Sequence, residues 1–308
     1  MNLMNKKVIL SAMLLALTTT SIGQTLPAFR QYRFNALVLN PAQAGANDYS
    51  DVSVMGTQYW VGMPGAPQTA TVSGNYKAYD NFGVGAALIA DQTGPVHSTS
   101  FDLMGAYHLK LSENWKLSAG LKISALNHSV VTSELETYTA NDPDMMENLS
   151  TGLSYNAGFG FLAYSKKLFF GLSLPRVASL RFDRMNMTNF IDKKGGIIAY
   201  GGANFSINEN FDLRPSLLGL IGYGGPALID LNVVGTIKNL IDVGLTYQWK
   251  GNIGLLLGIN IKDKFVVGYS YSYPVNTMRT VSIQSHELAL RMKFNKKLKT
   301  GDSPRFFN

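Results

Sequence analysis

Four histidines, His97, His108, His128 and His286, are the side chains best able to hold a metal or relay a proton near neutral pH. They are far apart, and no pair has the spacing by which a helix or a finger loop brings two imidazoles onto one zinc ion. Asp142, Asp144 and Glu147 flank Pro143 and offer oxygen ligands, but the central glycine of a calcium loop is missing, so a solvated loop is the plainer reading. Gly83-Val84-Gly85 and Gly158-Phe159-Gly160 lack the strand-to-helix setting of a phosphate loop, and packing or bending of a sheet explains them better. No serine motif marks a nucleophile, and with no cysteine there is neither thiolate chemistry nor a disulfide framework. Neither an enzyme nor a cofactor is expected. Net charge is +7, yet it is spread over a chain with only 15% charged residues, which argues against a nucleic-acid footprint.

The remaining candidates are charges on alternating segments. In Phe101–Ala125, Phe101, Leu103, Tyr107, Leu117, Leu121 and Ile123 share one face, while Asp102, Lys116 and Lys122 fall on the other. A period of two means strands, and the polar turn Leu111–Asn114 makes this pair an antiparallel hairpin. The pattern recurs from Asp51 to Phe294 in about fourteen segments, many near the length of a tilted strand that crosses a bilayer. Every second connection is tight, at Tyr79–Asn81, Leu111–Glu113, Lys166, Glu209–Asn210, Lys238–Leu240 and Lys262–Asp263. Those between are longer, at Trp60–Pro67, Gln92–Val96, His128–Thr151, Arg176–Gly196, Ile221–Gly225 and Pro274–Ser282; Lys250–Gly251 is the short exception.

Segregation of loop length by parity predicts an all-β, up-and-down antiparallel transmembrane barrel, with short periplasmic turns and longer extracellular loops. Tyrosines and tryptophans near strand ends fit an interfacial girdle around an outer-membrane lipid contact. A soluble sandwich would alternate too but has no reason to sort its loops. Ahead of the barrel, Lys6-Lys7, the apolar run Val8–Leu17 and Ser21-Ile22-Gly23 read as a secretory signal peptide over 1–23. Residues 24–50 read as an N-terminal periplasmic or plug-like segment, 51–294 as the barrel, and 295–308 as a basic periplasmic tail. Asp102, Lys116, Lys122, Arg214, Asp230, Glu287 and Arg291 are then lumen candidates. They either line a pore or brace a plugged interior, and bracing is favoured because neither sign dominates.

One loop exceeds what composition explains. Gln58–Thr69 reads QYWVGMPGAPQT, after Gln31-Tyr32, Asn35, Asn40-Pro41-Ala42 and Gly45. With Gly94-Pro95, Tyr107-His108-Leu109, Tyr164-Ser165-Lys166-Lys167, Phe170-Gly171-Leu172-Ser173, Gly268-Tyr269-Ser270-Tyr271 and Ser285-His286-Glu287 in that order, the chain resembles the PorP/SprF family of Bacteroidetes outer-membrane proteins. The resemblance implies an integral outer-membrane component of the type IX secretion system that acts by protein–protein contact. It would support secretion or surface attachment of cargo with C-terminal sorting domains, such as gliding adhesins. Its partners would be that cargo, or periplasmic ring and peptidoglycan-linked components. Within the loop, Trp60, Gly62, Pro64, Gly65 and Pro67 form a stiff aromatic stretch that either meets cargo over the barrel mouth or packs as a rigid turn. The alternative function is a porin-like channel for small solutes.

Overall fold

Alternation of apolar and polar side chains leaves each strand one face for lipid and one for an interior, and the observed architecture follows from that. The computed structural model describes residues 31–132, 149–181, 196–222, 227–262, 264–276 and 284–294. The signal-peptide reading, the acidic stretch Asp142–Glu147 and the basic tail lie outside the described residues.

The strands are β1 (Ser50–Gln58), β2 (Gln68–Lys77), β3 (Phe82–Thr93), β4 (Val96–Lys110), β5 (Lys116–Val130), β6 (Leu149–Tyr164), β7 (Leu168–Arg181) and β8 (Ile197–Ala203). They continue as β9 (Phe205–Asn208), β10 (Phe211–Ile221), β11 (Leu228–Ile237), β12 (Ile241–Gln248), β13 (Asn252–Ile261), β14 (Phe265–Pro274) and β15 (Ser285–Phe294). Each pairs antiparallel with its neighbours in the order of the chain, except that β8 and β9 lie end to end along β10, separated at Asn204. Counted as one, they make a fourteen-strand barrel. It closes where β1 pairs with β15, from Ser50 opposite Phe294 to Gln58 opposite His286. No strand edge is left along that seam for hydrocarbon to meet.

Most of the tight turns lie at the periplasmic end, while Gly94-Pro95 and Lys250-Gly251 are tight at the other. Lys238, Asn239 and Lys262 adopt left-handed backbone at the periplasmic end, which lets a hairpin reverse in two or three residues. Several strand limits differ from the sequence reading, as where β5 and β6 extend into the His128–Thr151 connection to Val130 and from Leu149. β7 continues to Arg181 through Pro175, beside a register shift between Ala157 and Phe159 on β6, where a proline is tolerated. The Gln92–Val96 connection shrinks to Gly94-Pro95, because Gly94 at φ 53° permits a two-residue turn.

The outer face is apolar, and the inner face is mainly polar with two apolar patches. On β3 and β4 the outward pairs are Phe82 with Tyr107, Val84 with Gly105, Ala86 with Leu103, Leu88 with Phe101 and Ala90 with Thr99. The next pair, Gln92 with His97, is polar. Eight residues at roughly 3.4 Å each, tilted by about 40°, put these limits about 21 Å apart, near the height of a barrel's lipid-facing band. Leu121 and Ile123, 70% and 62% exposed, lie in the middle of it on β5.

Residues 31–49 precede β1 and lie inside the ring of strands, where nearly all are buried. Their own structure is slight: one helical turn, α1 (Ala36–Leu39), and a 3-10 turn at Pro41–Gln43. Asn40 caps the latter by accepting from the Ala42 N–H at 2.9 Å, with Pro41 in the first helical position where a missing N–H costs nothing. This inner segment divides its apolar side chains between two clusters. Tyr32, Ala36, Leu39, Ala42 and Ala46 pack with Leu162, Tyr164, Phe169, Ile198 and Tyr200. Phe34, Leu37, Val38 and Ala44 pack with Met55, Ala87, Met104, Ala106 and Val266.

Wall glycines make room for it. A methyl group added at Gly83 would collide with Gly45, at Gly120 with Pro41-Ala42, and at Gly160 with Asn40. Gly83 and Gly160 thus serve close approach of the inner segment rather than bending of the wall, while Gly158 packs on the Pro175 carbonyl.

The lipid-facing assignment has a direct test. Leu121→Arg places a charge near the middle of the apolar band and is expected to destabilise the barrel by about 2–4 kcal/mol, as measured by denaturant unfolding in lipid vesicles. Lys110→Arg at the rim should leave the transition in place.

Candidate functional site

The site is built where the inner segment meets the wall. Gln31 and Arg33 enter first. The Gln31 backbone N–H donates to the Glu287 carboxylate on β15 at 2.9 Å, and the Tyr32 hydroxyl donates to Ser216 on β10 at 2.6 Å. Burial pushes the Tyr32 phenol far above its ordinary range, with the Ser216 bond opposing in part, so it stays neutral. Tyr49, at the other end of the segment, is raised by burial in the same way.

Arg33 makes the central ion pair. Its Nη2 lies 2.8 Å from Asp242 on β12, which also accepts from Thr236 at 2.6 Å. The Arg33 carbonyl in turn accepts from Arg291 Nη2 at 2.8 Å. Arg291 also donates through Nε to Ser53 at 3.0 Å and lies 3.5 Å from Asp51, so one guanidinium joins β15, β1 and the inner segment. Its guanidinium carbon is 5.1 Å from the Phe34 ring centre, and that of Arg33 is 5.4 Å from it.

Further along, the Asn40 side chain donates to the Phe161 carbonyl at 2.9 Å, Gln43 donates to the Tyr200 hydroxyl at 2.7 Å, and Ser118 donates to the Ala42 carbonyl at 2.8 Å. His108 Nε2 is 2.7 Å from the Ala44 carbonyl, and its Nδ1 is 2.9 Å from the Tyr164 hydroxyl. The Gly45 N–H donates to Asn75 at 2.7 Å, at a φ of 73° that favours glycine. Contacts therefore come from strands on all sides of the lumen.

Of the lumen charges read from the sequence, Asp102, Lys122, Arg214, Asp230, Glu287 and Arg291 are all buried on the inner face. Asp102 and Lys122 pair across neighbouring strands at 3.0 Å, and Arg214 lies 4.0 Å from Asp212. Lys116 has the inward parity but is only half-buried, at the periplasmic rim opposite Lys110. Glu287 and Arg291 meet the inner segment, whereas Asp102 and Lys122 meet one another. Arg33, Asp51 and Asp242 complete the network without having been singled out. Arg33 carried one legible signal, a guanidinium set between Tyr32 and the apolar run Ala36–Leu39. Among the described residues no group of three or more His, Cys, Asp or Glu is placed to hold a metal ion.

The Trp60–Pro67 loop stands at the extracellular rim. Trp60 is left-handed at φ 45°, as are Gly62 and Gly65. The Tyr59 N–H donates to Pro67 across its base, Met63 donates to Trp60, and Ala66 donates to Met63. Sideways, the Val61 N–H reaches the Gln284 carbonyl at 2.8 Å, Trp60 reaches Ser285, and Gly65 accepts from Gly94 at 2.9 Å. These bonds run along the rim to the loops on either side. Gly62, Pro64 and Gly65 are exposed, while Trp60 and Pro67 are half-buried.

Removing one partner from the central pair would strand a buried carboxylate. Arg33→Ala is expected to lower stability by about 3–5 kcal/mol in denaturant unfolding, and Arg33→Met combined with Asp242→Asn to recover most of that loss.

Residues 21–292 match the model of the family described as "Type IX secretion system membrane protein PorP/SprF". No curated protein matches the chain. Among solved structures, the chain is similar to a FadL homologue of Pseudomonas aeruginosa at 13% identity, with 90% of this chain and 96% of that chain covered and a TM-score of 0.47. It is also similar to Omp33 of Acinetobacter baumannii (10% identity, 80% and 100% covered, TM-score 0.46) and to the toluene transporter TodX of Pseudomonas putida (10% identity, 90% and 100% covered, TM-score 0.47). The closed barrel with its apolar outer band, and a family match over nearly the whole described chain, lead to one assignment: this chain belongs to the PorP/SprF family and is an integral outer-membrane barrel component of the type IX secretion system.

Proposed function

We propose that this barrel supports the secretion or surface attachment of cargo proteins with C-terminal sorting domains, by protein–protein contact and without catalysis. The family match over residues 21–292 carries the proposal. Cargo of this kind includes adhesins used in gliding. Its other partners are periplasmic ring and peptidoglycan-linked components of the same system, reached from the rim where the short turns lie. On the opposite rim, the Trp60–Pro67 loop is the candidate contact for cargo: it is held in shape by its own hydrogen bonds and presents Gly62, Pro64 and Gly65 to solvent. A preformed loop loses little conformational freedom on binding, which favours recognition. A porin-like channel fits less well, because the inner segment fills the lumen between Gln31 and Tyr49.

Deleting the gene should remove one or more sorting-domain proteins from the cell surface while leaving the outer membrane intact, as read by surface proteomics. Unchanged surface levels would reject the role. Replacing Trp60, Pro64 and Pro67 together by alanine should reduce surface display with the barrel still folded. A normal display level in that variant would move cargo contact away from this loop.

A further inference from the structure

We infer that the inner segment is a displaceable plug: seated, it shuts the lumen, and unseated, it leaves a water-filled pore within an intact wall. The inference concerns the lumen alone and does not rest on the cargo role.

Independence of the wall is its first support. The closing seam, β1 with β15, is made by strands only. The inner segment joins the wall covalently at Ser50, and its one helical turn and its 3-10 turn are bonded within themselves. Its departure would break no strand pairing. By contrast, removing any one strand would expose two rows of backbone groups to hydrocarbon.

The chemistry of the wall is the second support. The inner segment is held by Asn75, Ser118, Ser216, Asp242 and Glu287 on five different strands. Groups of this kind are as well served by water as by protein, whereas the two apolar patches of the wall, around Leu162, Phe169 and Ile198 and around Met55, Met104 and Val266, oppose release.

Incomplete pairing at the boundary is the third. Gln31 Oε1, Arg33 Nη1, Asn35 Oδ1 and Asn47 Oδ1 on the segment are buried without a protein hydrogen-bond partner. Two voids lie along the same boundary, of about 30 Å³ beside Tyr32 and Ser216 and about 20 Å³ beside Phe34 and Asn75, each with room for one or two waters. Water in these voids can satisfy the polar groups of the seated segment, and water entering as it leaves would satisfy them equally. Opposing release are the Arg33–Asp242 pair and the apolar contacts of Phe34, Leu37 and Leu39, so the closed state is the resting one.

The test is steady conductance of the purified full-length protein in planar lipid bilayers. Gly120→Leu with Gly160→Leu puts side chains where Pro41-Ala42 and Asn40 now rest, and leaves every strand hydrogen bond available. Arg33→Met with Asp242→Asn removes the ion pair without stranding a charge. The unaltered protein should show no steady conductance. The glycine variant should show long-lived stepwise openings, and the ion-pair variant intermittent ones. Because the chain has no cysteine, Ala44→Cys provides a clean probe of seating at a position that is fully buried. It should resist a hydrophilic maleimide in the native background and react in the glycine variant.

Heat-modifiable gel mobility certifies that each variant is a folded barrel. Steady conductance by the unaltered protein would overturn the inference. So would a folded glycine variant that stays silent with Ala44→Cys still protected. Failure of both variant pairs to fold would also overturn it, since the segment would then be integral core. Surface display of cargo is scored separately in cells, so failure of the secretion role leaves the conductance result standing.

Discussion

Hydrocarbon offers no hydrogen-bond partner, so every backbone N–H and C=O at membrane depth must find one within the chain. The rest of this structure depends on that constraint. A sheet can satisfy it only by closing, and here closure is made by the first and last strands, Ser50–Gln58 against Ser285–Phe294. Closure in turn turns half of each strand's side chains toward an interior that fourteen strands leave too wide for wall side chains alone to fill.

The inner segment answers that second demand. It brings apolar side chains to the apolar parts of the wall and polar groups to the polar parts, with Arg33 placed where Asp242 and the Arg291–Asp51 pair converge. Wall and segment approach closely where both sides lack bulk, as at Gly45 against Gly83 and at Ala42 against Gly120. Shape complementarity there needs no partner with a side chain. The ordered part of the family resemblance that precedes the barrel, Gln31-Tyr32, Asn35, Asn40-Pro41-Ala42 and Gly45, consists of residues that make these contacts.

Much of the wall was legible because a strand writes its two faces into alternate residues. Phe101 and Leu121 are outside, and Asp102 and Lys122 inside, as their parity requires. The turn ends were legible from loop length, although Gly94-Pro95 closes more tightly than the run Gln92–Val96 suggested. The interior was not legible in the same way. Arg33 meets Asp242 across a sequence separation of 209, and Gln31 meets Glu287 across 256. No local period reports contacts of that range. Gly83 and Gly160 looked like features of the wall because the segment they accommodate has little regular structure to announce itself. Lys116 shares the inward parity of Lys122, but parity carries no information about depth, and it comes to rest half-exposed at the rim.

The seam between β1 and β15 also sets an order of events. The inner segment comes before β1 in the chain, and the strand that closes the ring on β1 lies at the far end of the barrel sequence. The ring around residues 31–49 is complete only when β15 pairs with β1, since without that pairing the sheet is an open ribbon with two free edges. Enclosure and seam formation are therefore coupled steps, and both wait on contacts between the two ends of the barrel sequence, which close slowly. A segment already lying against the half-made wall, with Gly83 and Gly120 on β3 and β5 beneath it, would act as a mandrel around which the remaining strands are wound.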